Sequence, residues 1–438
     1  MAVQHPFPMP PPPAPPSLHV AIIGAGITGL SLALGLQARD VHFTIYERAD
    51  GLHEVGAGLG LSPNAERALA LLHPGAGPAF RRVAMPNGED YFQWVDGYCS
   101  DKVVCRLYLG EEAVSLAQQK DGRQKLGFRD GSSAVADVDK SCFRALSPMD
   151  RARAALGEYR TSTRFMYNGP GAHVITYPVS DGALLNILAV VTEDNTSHTS
   201  GTHDAVTVDS AHPATMTEQL SAPSAPKTTG TSVAARFADW HPRVRAAVEL
   251  LASSDDNNKE GRDGTAKLDR RRWDIYDMYE HPAPQYWSGT VCLAGDAAHA
   301  TGPHLGAGAG FGIEDALALS ALFEVVDGIV ETRVNNGRSG KNGTAEKPST
   351  QVARVVRAAL SAYNDVRYER AQWLIGATRE ACELIQSRDR DWATDVEDYE
   401  REISWRFHKI WDYDVNGMVQ EALDRFEARR MAWESLAS

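Results

Sequence analysis

The first regular pattern of hydrophobic positions lies near the start of the chain. An apolar run from Val20 to Ile23 predicts a buried parallel strand, and apolar residues at helical spacing over residues 27–36 predict the helix that follows. A second apolar segment from Val41 to Tyr46 predicts another strand. This order of strand, helix and strand is typical of the first βαβ unit of a nucleotide-binding fold.

Three glycines stand where the first predicted strand meets the helix. Gly24, Gly26 and Gly29 let the backbone turn sharply, approach a pyrophosphate and pack the helix closely. The start of that helix presents free N–H groups to a phosphate. Glu47 ends the second strand, at the distance where an acidic side chain binds the hydroxyls of a ribose. The pattern favours dinucleotide binding over a bare tight turn, and it does not separate NAD from FAD.

A second segment of the same kind lies more than 250 residues later. Residues 290–294 predict a strand that ends at Gly295-Asp296, residues 302–312 form a glycine-rich loop, and residues 313–326 predict an amphipathic helix. We expect Asp296 to accept hydrogen bonds from the ribityl hydroxyls of a flavin, and the loop to aim the helix N-terminus at the isoalloxazine. The alternative is an Asp that only caps a strand-to-helix turn.

The region between these two segments has the alternating pattern of strands. Its predicted strands are residues 125–128, 133–138, 142–146, 173–178 and 184–191. Strand alternation places Arg144 on the same face as Cys142 and Leu146, and Tyr177 on the same face as Ile175. If each strand turns that face toward a bound cofactor, Arg144 and Tyr177 meet the substrate. The alternative is a surface arginine in an ion pair and a half-buried strand tyrosine.

Composition narrows the class of protein. A chain of 438 residues with 43% hydrophobic content can bury a large core and more than one domain. A formal net charge of −13 argues against nucleic acid or an anionic membrane as a partner, and no apolar run is long enough to span a bilayer. Five cysteines at irregular spacing indicate neither a disulfide framework nor a zinc site, so no metal is expected. Without a recognisable signal peptide, we expect a soluble, cytoplasmic protein.

Read together, the motifs resemble a known family. Residues 24–29, 46–48, 56–65 and 295–316 are similar to the class A FAD-dependent monooxygenases, in particular the salicylate hydroxylase-like fungal enzymes that hydroxylate or dearomatise phenolic polyketides. The resemblance extends to the strand at 142–146 and covers most of the chain. It implies FAD as cofactor, NADPH or NADH as transient reductant, and Gly60 and Ala309 as further cofactor contacts.

The resemblance also implies a chemistry for two side chains. In such enzymes a flavin C4a-hydroperoxide transfers oxygen to an electron-rich ring, and a phenolate is richer in electrons than a phenol. Arg144 would hold the phenolate by charge-assisted hydrogen bonds, and Tyr177 would orient the same oxygen. The substrate would be a phenolic intermediate of secondary-metabolite biosynthesis.

The implied fold is α/β (α+β), with a Rossmann-like FAD-binding domain of the p-hydroxybenzoate hydroxylase type and a β-rich substrate domain. The expected parts are a disordered Pro-rich tail (1–17), the FAD-binding domain (18–138 and 289–330), the substrate domain (139–288) with a disordered excursion (194–231), a flexible loop (331–352) and a C-terminal helical region (353–438).

In one respect the sequence departs from its family. After residue 112 the relatives continue with a helix carrying an FAD-contacting Arg, and later with a glycine motif near the pyrophosphate, and neither is present here. A parallel strand and at least one helix are therefore expected to be missing from the nucleotide-binding layer. Two hypotheses follow: a working monooxygenase that uses FAD and NAD(P)H, or a truncated or mis-spliced product that binds FAD weakly or not at all.

Overall fold

The computed structural model describes ten stretches of the chain, residues 18–49, 59–84, 90–108, 140–192, 233–253, 272–274, 278–279, 282–337, 348–387 and 396–437. The predicted tail 1–17, the excursion 194–231 and the predicted strands 125–128 and 133–138 lie outside them. Contacts between Cα atoms divide the chain into two units. The first unit comprises Met1–Pro86, Tyr276–Glu383 and Arg401–Ser438, and the second comprises Asn87–Ile275 and Leu384–Glu400.

Helices account for much of the described chain. They are α1 (Ile27–Gln37), α2 (Pro63–Leu72), α3 (Ala76–Val83), α4 (Met149–Leu156), α5 (Glu158–Ser162), α6 (Val233–Arg236), α7 (Pro242–Ser253), α8 (Asp296–His299), α9 (Gly308–Gly337), α10 (Pro348–Ile385), α11 (Val396–Trp411) and α12 (Val415–Ala437). Within the described ranges, none of these helices combines the length and the hydropathy needed to cross a membrane.

The strands of the described ranges form three sheets. They are β1 (His19–Ile23), β2 (His42–Tyr46), β3 (Asp90–Asp96), β4 (Val103–Tyr108), β5 (Lys140–Pro148), β6 (Phe165–Gly169), β7 (Ala172–Val179), β8 (Leu184–Thr192), β9 (Arg272–Asp274), β10 (Trp287–Ser288) and β11 (Val291–Cys292). Strands β1 and β2 pair in parallel, β10 and β11 form a short antiparallel pair, and the large sheet has the order β4-β3-β6-β7-β8-β5-β9.

Helix α9 lies at the centre of the first unit. Its apolar residues from Phe311 to Phe323 are almost all buried. Helix α1 packs closely here, because a Cβ atom placed on Gly35 would lie 2.6 Å from Leu72 Cδ2 and 2.6 Å from Ser320 Oγ. The glycine therefore permits an approach of α1 to α2 and α9 that a larger residue would prevent.

The large sheet of the second unit buries one face under helices. Phe143 and Ala145 of β5 share a buried cluster with Ile187 and Ala189 of β8, and the cluster also contains residues of α4 and α7 such as Leu156 and Val248. Strand alternation then turns the other residues of β5 and β8 to the opposite face. Both units combine helices and sheets, so the predicted α/β (α+β) class is confirmed.

Several predicted boundaries differ from the structure. The predicted helix 313–326 extends from Gly308 to Gly337, so part of the predicted glycine loop and the start of the predicted flexible loop 331–352 are helical. Helix α10 begins at Pro348, which shortens that loop from its other end. The predicted strand 290–294 is reduced to Val291–Cys292. The helix extends toward its N-terminus because its glycines allow close packing, which periodicity does not reveal.

The division into units also differs from the predicted domain boundaries. Strands β3 and β4 belong to the large sheet of the second unit, whereas the sequence pattern places residues 18–138 in the FAD-binding domain. Most of the region 353–438 is grouped with the nucleotide-binding elements of the first unit. Pairing between β3 and β6, which are about 70 residues apart, draws the segment into the second unit, and local patterns carry no record of such a pairing.

Candidate active site

The turn after β1 has the geometry of a dinucleotide-binding loop. Gly24 has a φ of +101°, in the left-handed region that favours glycine, and its N–H donates to the carbonyl oxygen of Tyr46 at 2.8 Å. A Cβ atom on Gly29 would lie 2.0 Å from the carbonyl oxygen of Gly24, so only glycine fits there. Helix α1 starts at Ile27 with no side-chain cap, which leaves the N–H groups of its first turn available to an anion.

Glu47 lies beside this turn. Its Oε2 accepts a hydrogen bond from the N–H of Ala25 at 2.7 Å, and its Oε1 accepts one from the N–H of Ala49 at 2.8 Å. These backbone hydrogen bonds hold the pKa of Glu47 below its usual value, so the exposed carboxylate is ionised at neutral pH. An ionised acceptor next to a glycine turn suits the hydroxyls of a ribose.

The fit of the ADP part of FAD can be tested on the space around the turn. A Cβ atom on Gly24 or Gly26 would meet no atom within 4 Å among the described residues. The backbone is therefore open on the side where a pyrophosphate would approach, and Glu47 and the start of α1 flank the opening. These residues fit the group.

Thr28 brings the second cofactor segment to the same place. A Cβ atom on Gly295 would lie 2.3 Å from Thr28 Oγ1, and one on Gly312 would lie 2.1 Å from the same oxygen. Gly295 also has a φ of +60°. The first turn of α1, the loop before Asp296 and the start of α9 thus meet within the first unit, although more than 260 residues separate the first of these segments from the other two. The exposed side chain of Asp296 begins α8 directly beside this contact.

Gly60 and Ala309 lie near the starts of two neighbouring helices. Gly60 stands three residues before α2, and Ala309 lies in the first turn of α9. The two helix starts are close together, since a Cβ atom on Gly310 would lie 3.0 Å from Ala65 Cβ and 3.3 Å from Ser62 Oγ. The structure therefore gathers the predicted cofactor residues around the starts of α1, α2 and α9.

A buried carboxylate, Asp315, anchors the loop that carries Asp296. Its Oδ2 accepts a hydrogen bond from the N–H of Gly295 at 2.8 Å and lies 2.7 Å from His299 Nε2. Its Oδ1 accepts from Arg367 Nε at 2.7 Å. Burial alone would raise the pKa of Asp315, but the charges of His299 and Arg367 outweigh it and hold that pKa well below the usual value.

Glu314 carries the same network to other helices. Its Oε1 accepts from Asn64 of α2 at 2.7 Å, and its two oxygens accept from Nη2 and Nε of Arg370 at 2.9 Å each. Arg367 Nη1 donates to Glu314 Oε2 at 2.5 Å. Burial raises the pKa of Glu314, whereas Arg367 and Arg370 lower it by more. Four elements are thereby joined around the start of α9.

Sequence reasoning included Glu314 and Asp315 in the motif 295–316 but assigned them no role, and it did not identify Arg367 or Arg370. The available signal was the pair Glu314-Asp315 inside an otherwise apolar helix, since two adjacent acids in a buried segment require partners. Their partners Arg367 and Arg370 lie more than 50 residues away in α10. Nothing in their local pattern identifies them as partners of α9.

In the second unit, the predicted substrate residues occupy one face of the large sheet. The paired Cα positions across β5, β8 and β7 are Cys142-Val190-His173, Arg144-Leu188-Ile175 and Leu146-Asn186-Tyr177. Directly paired residues of neighbouring strands point to the same face. Arg144 and Tyr177, whose faces were predicted separately for each strand, therefore lie on the same face of one sheet.

Arg144 and Tyr177 are in contact on that face. Arg144 donates a hydrogen bond to the Tyr177 hydroxyl, and its Nε donates to Asn186 Oδ1 at 2.9 Å. Burial raises the pKa of Tyr177, and the charge of Arg144 lowers it by less, so the hydroxyl stays protonated at neutral pH. A permanent cation and a neutral hydroxyl donor side by side can bind one oxyanion.

The chain is similar to known flavin- and nucleotide-binding proteins. A family model described as an NAD(P)-binding Rossmann-like domain matches residues 22–53, and one described as an FAD binding domain matches residues 253–331. The FAD-dependent monooxygenase orf3 of Aspergillus niger is 35% identical and aligns over 94% of this chain and 98% of its own length. The chain belongs to the FAD-dependent monooxygenases.

Another relative and a solved structure support this family assignment and the predicted fold. The FAD-dependent monooxygenase pigN of Monascus ruber is 35% identical over 94% of the chain and 98% of the relative. A solved salicylate hydroxylase in complex with its substrate has a TM-score of 0.59 at 23% identity, and the match covers 92% of this chain and 98% of that one. The likeness confirms the predicted salicylate hydroxylase-like, p-hydroxybenzoate hydroxylase-type fold. The family is that of aromatic monooxygenases with FAD as cofactor and NAD(P)H as reductant.

This monooxygenase is shorter than its relatives. The alignment with orf3 runs over 480 positions but takes in 94% of the 438 residues, about 412, so about 68 positions have no counterpart here. In the described part of the chain, β1 pairs with β2 alone. Ile23 at the end of β1 is 82% exposed and Val291 is 68% exposed, which is unusual for strands of a nucleotide-binding sheet. The expected loss of a parallel strand stays a prediction, because residues 109–139 lie outside the described ranges.

Proposed function

We propose that this monooxygenase inserts one oxygen atom into a phenolic ring that Arg144 and Tyr177 hold as its phenolate. The observation that carries the proposal is the strand register that puts these two side chains on one face of the large sheet, where the Arg144 guanidinium acts on the Tyr177 hydroxyl. Within the family role of aromatic hydroxylation, a phenolic polyketide intermediate is the substrate class that we infer. The resemblance noted in the sequence supports that class.

The two side chains would act on the substrate oxygen. The Arg144 guanidinium stays protonated at any working pH, so it stabilises the phenolate over the phenol and raises the electron density of the ring. The Tyr177 hydroxyl donates a second hydrogen bond to the same oxygen and orients the ring carbon that reacts. Bound FAD, once reduced by NAD(P)H, supplies the activation of O2.

The products follow from the balance of the reaction. One oxygen atom of O2 enters the ring and the other leaves as water, with two electrons from NAD(P)H. If the attacked carbon carries hydrogen, loss of that proton restores the aromatic ring. If it carries a carbon substituent, the ring cannot regain aromaticity and a dienone remains. Mass spectrometry and absorbance of the product therefore separate hydroxylation from dearomatisation.

For FAD, the proposed contacts are the turn glycines, the ribose-binding acid and the residues near α8 and α9. They are Gly24, Gly26, Gly29, Glu47, Gly60, Asp296 and Ala309. Within this set the backbone N–H groups would bind the pyrophosphate, Glu47 the adenosine ribose and Asp296 the ribityl chain.

The test compares Arg144→Met with Arg153→Met. Arg153 lies on the surface and pairs with Glu158, so its loss should leave turnover unchanged. With FAD and NAD(P)H supplied, Arg144→Met is expected to lower phenol-dependent NAD(P)H oxidation about 10- to 100-fold, the effect of losing a charge-assisted hydrogen bond. FAD binding, followed by quenching of flavin fluorescence, should not change. Unaltered turnover in Arg144→Met would refute the phenolate site.

One observation favours a second candidate function. The exposed apolar residues Ile23 and Val291, together with the shorter chain, favour a family member that keeps the substrate-binding sheet but binds FAD weakly. Purified protein separates the two candidates. A yellow protein with substrate-stimulated NAD(P)H oxidation supports the enzyme, and a colourless protein that does not respond to added FAD supports the second candidate.

A further inference from the structure

Asn186 lies between the two proposed substrate-binding side chains. Asn186 belongs to β8, the strand between β7 and β5, and it is directly paired with Tyr177 of β7. Its direct partner on β5 is Leu146, and Arg144 lies two residues before Leu146 on the same face of the sheet. The side chain of Asn186 is fully buried. Asn186 is the single polar residue in the apolar run Leu184–Val191, where a carboxamide is costly unless its groups are bonded.

The hydrogen bond with Arg144 decides how the carboxamide is oriented. A guanidinium can only donate, so the atom of Asn186 that lies 2.9 Å from Arg144 Nε must be the carbonyl oxygen Oδ1. The NH2 group therefore points away from Arg144 Nε. This bond also sets the plane of the guanidinium, because Nε is fixed relative to the two terminal nitrogens.

The NH2 group of Asn186 has no acceptor of its own. Nδ2 is buried, and among the described residues no acceptor lies within hydrogen-bonding distance of it. A buried donor without a partner costs about 1 to 3 kcal/mol. The Oδ1 atom of Asn186 is bonded to Arg144, the proposed phenolate-binding residue, and its Nδ2 is unbonded. Asn186 is therefore suited to donate a hydrogen bond to a ligand oxygen that binds at Arg144.

We propose that Asn186 is a third binding residue for the substrate oxyanion, which positions Arg144 through Oδ1 and donates to the bound oxygen through Nδ2. The inference rests on the proposed function, since it needs a phenolate at Arg144. It adds a neutral donor that does not alter the net charge of the site. The substrate oxygen then receives donors from three adjacent strands.

The test uses 4-nitrophenol, because its phenolate absorbs visible light and its phenol does not. The full-length protein is titrated with the probe across a pH series, without turnover, and the visible absorbance gives both the affinity and the ionisation of the bound probe. The variants are Asn186→Leu, which removes both hydrogen bonds, and Asn186→Asp, which still accepts from Arg144 Nε but cannot donate when ionised. Asp is isosteric with Asn and keeps the measurement possible if the Leu variant does not fold.

The expected order distinguishes a binding role from a structural one. Asn186→Leu should bind the phenolate about tenfold more weakly, and Asn186→Asp more weakly still, because its charge repels the phenolate and competes for Arg144. A residue needed only for folding would give the opposite order, with the isosteric Asp variant closest to the unmodified protein. That opposite order, or unchanged binding in both variants, would overturn the inference.

Two further variants separate this inference from the proposed function. Asn168→Leu is the matched control, because Asn168 is also fully buried in the large sheet but its Nδ2 already donates to Tyr399 at 2.9 Å. It should leave the phenolate signal unchanged. Arg144→Met should abolish that signal. If Arg144→Met binds normally, or if the unmodified protein gives no visible change, the proposed phenolate site itself fails. If only the Asn186 variants bind normally, the inference alone fails.

Discussion

The backbone N–H of Gly295 donates a 2.8 Å hydrogen bond to the buried carboxylate of Asp315, 20 residues further along the chain. The same oxygen lies 2.7 Å from His299 Nε2. One side chain therefore holds both ends of the short segment that contains Asp296. Since Asp315 is itself held by Arg367, the position of the loop depends on a buried ion pair.

We predict that Asp315→Asn lowers the free energy of unfolding by about 3 kcal/mol, because it leaves Arg367 buried with a weakened partner. Urea unfolding followed by circular dichroism measures the change. Glu421→Gln is the control, because its pair with Arg425 lies on the surface of α12 and contributes about 0.5 kcal/mol or less. Equal effects of the two substitutions would contradict the assigned role of Asp315.

The lowered pKa of Asp315 predicts a pH dependence of stability. When folding lowers the pKa of a carboxyl group, the group makes its full contribution to the free energy of unfolding above its unfolded pKa of about 4. That contribution is lost as the pH falls toward the pKa of the folded state. The difference in unfolding free energy between the unmodified protein and Asp315→Asn should thus be constant from about pH 5 to 7 and shrink below about pH 4. Urea titrations at several pH values test this. A difference that grows on acidification would contradict it.

Two glycine substitutions are expected to have opposite effects, because Gly29 is closely packed in the turn and Gly328 has free space around it. Gly29→Ala would place a methyl group 2.0 Å from the carbonyl oxygen of Gly24, so the turn must deform and FAD binding should weaken at least tenfold. Gly328→Ala, in helix α9 with no atom within 4 Å, should stabilise the protein by about 0.4 to 1 kcal/mol. Flavin fluorescence titration and thermal unfolding measure the two effects. Unchanged FAD affinity in Gly29→Ala would contradict the role of the turn.

Glu47 should contribute to FAD affinity through its charge. Glu47→Gln keeps the size of the side chain but replaces one carboxylate oxygen by an NH2 group, so either the hydrogen bond from Ala25 or the one from Ala49 is lost. We expect a fivefold to tenfold rise in the dissociation constant of FAD, on the order of one charge-assisted hydrogen bond. Glu331→Gln, an exposed change on α9, should leave it unaltered. The same affinity in both variants would mean that Glu47 does not bind the ribose.

Much of the nucleotide-binding turn could be predicted from local sequence. The predicted helix 27–36 is observed as Ile27–Gln37, and the predicted strand 41–46 as His42–Tyr46. Strong periodicity and a glycine-punctuated turn act over a few residues, so the pattern and the structure agree closely there. The start of α9 differs from its prediction for the opposite reason. Gly308 and Gly310 have the pattern of loop residues, but packing of α9 against α2 makes them helical.

What the sequence determined by itself were the two glycine segments, the strands that carry Arg144 and Tyr177, and the face on which each of those side chains lies, because backbone geometry sets these over short distances. Only the tertiary structure decided that β5, β8 and β7 lie side by side, which puts Asn186 between the two, and that Arg367 pairs with Asp315. Those relationships join residues up to 52 positions apart. They depend on which surfaces pack together, and no local pattern of hydrophobic and polar residues records that choice.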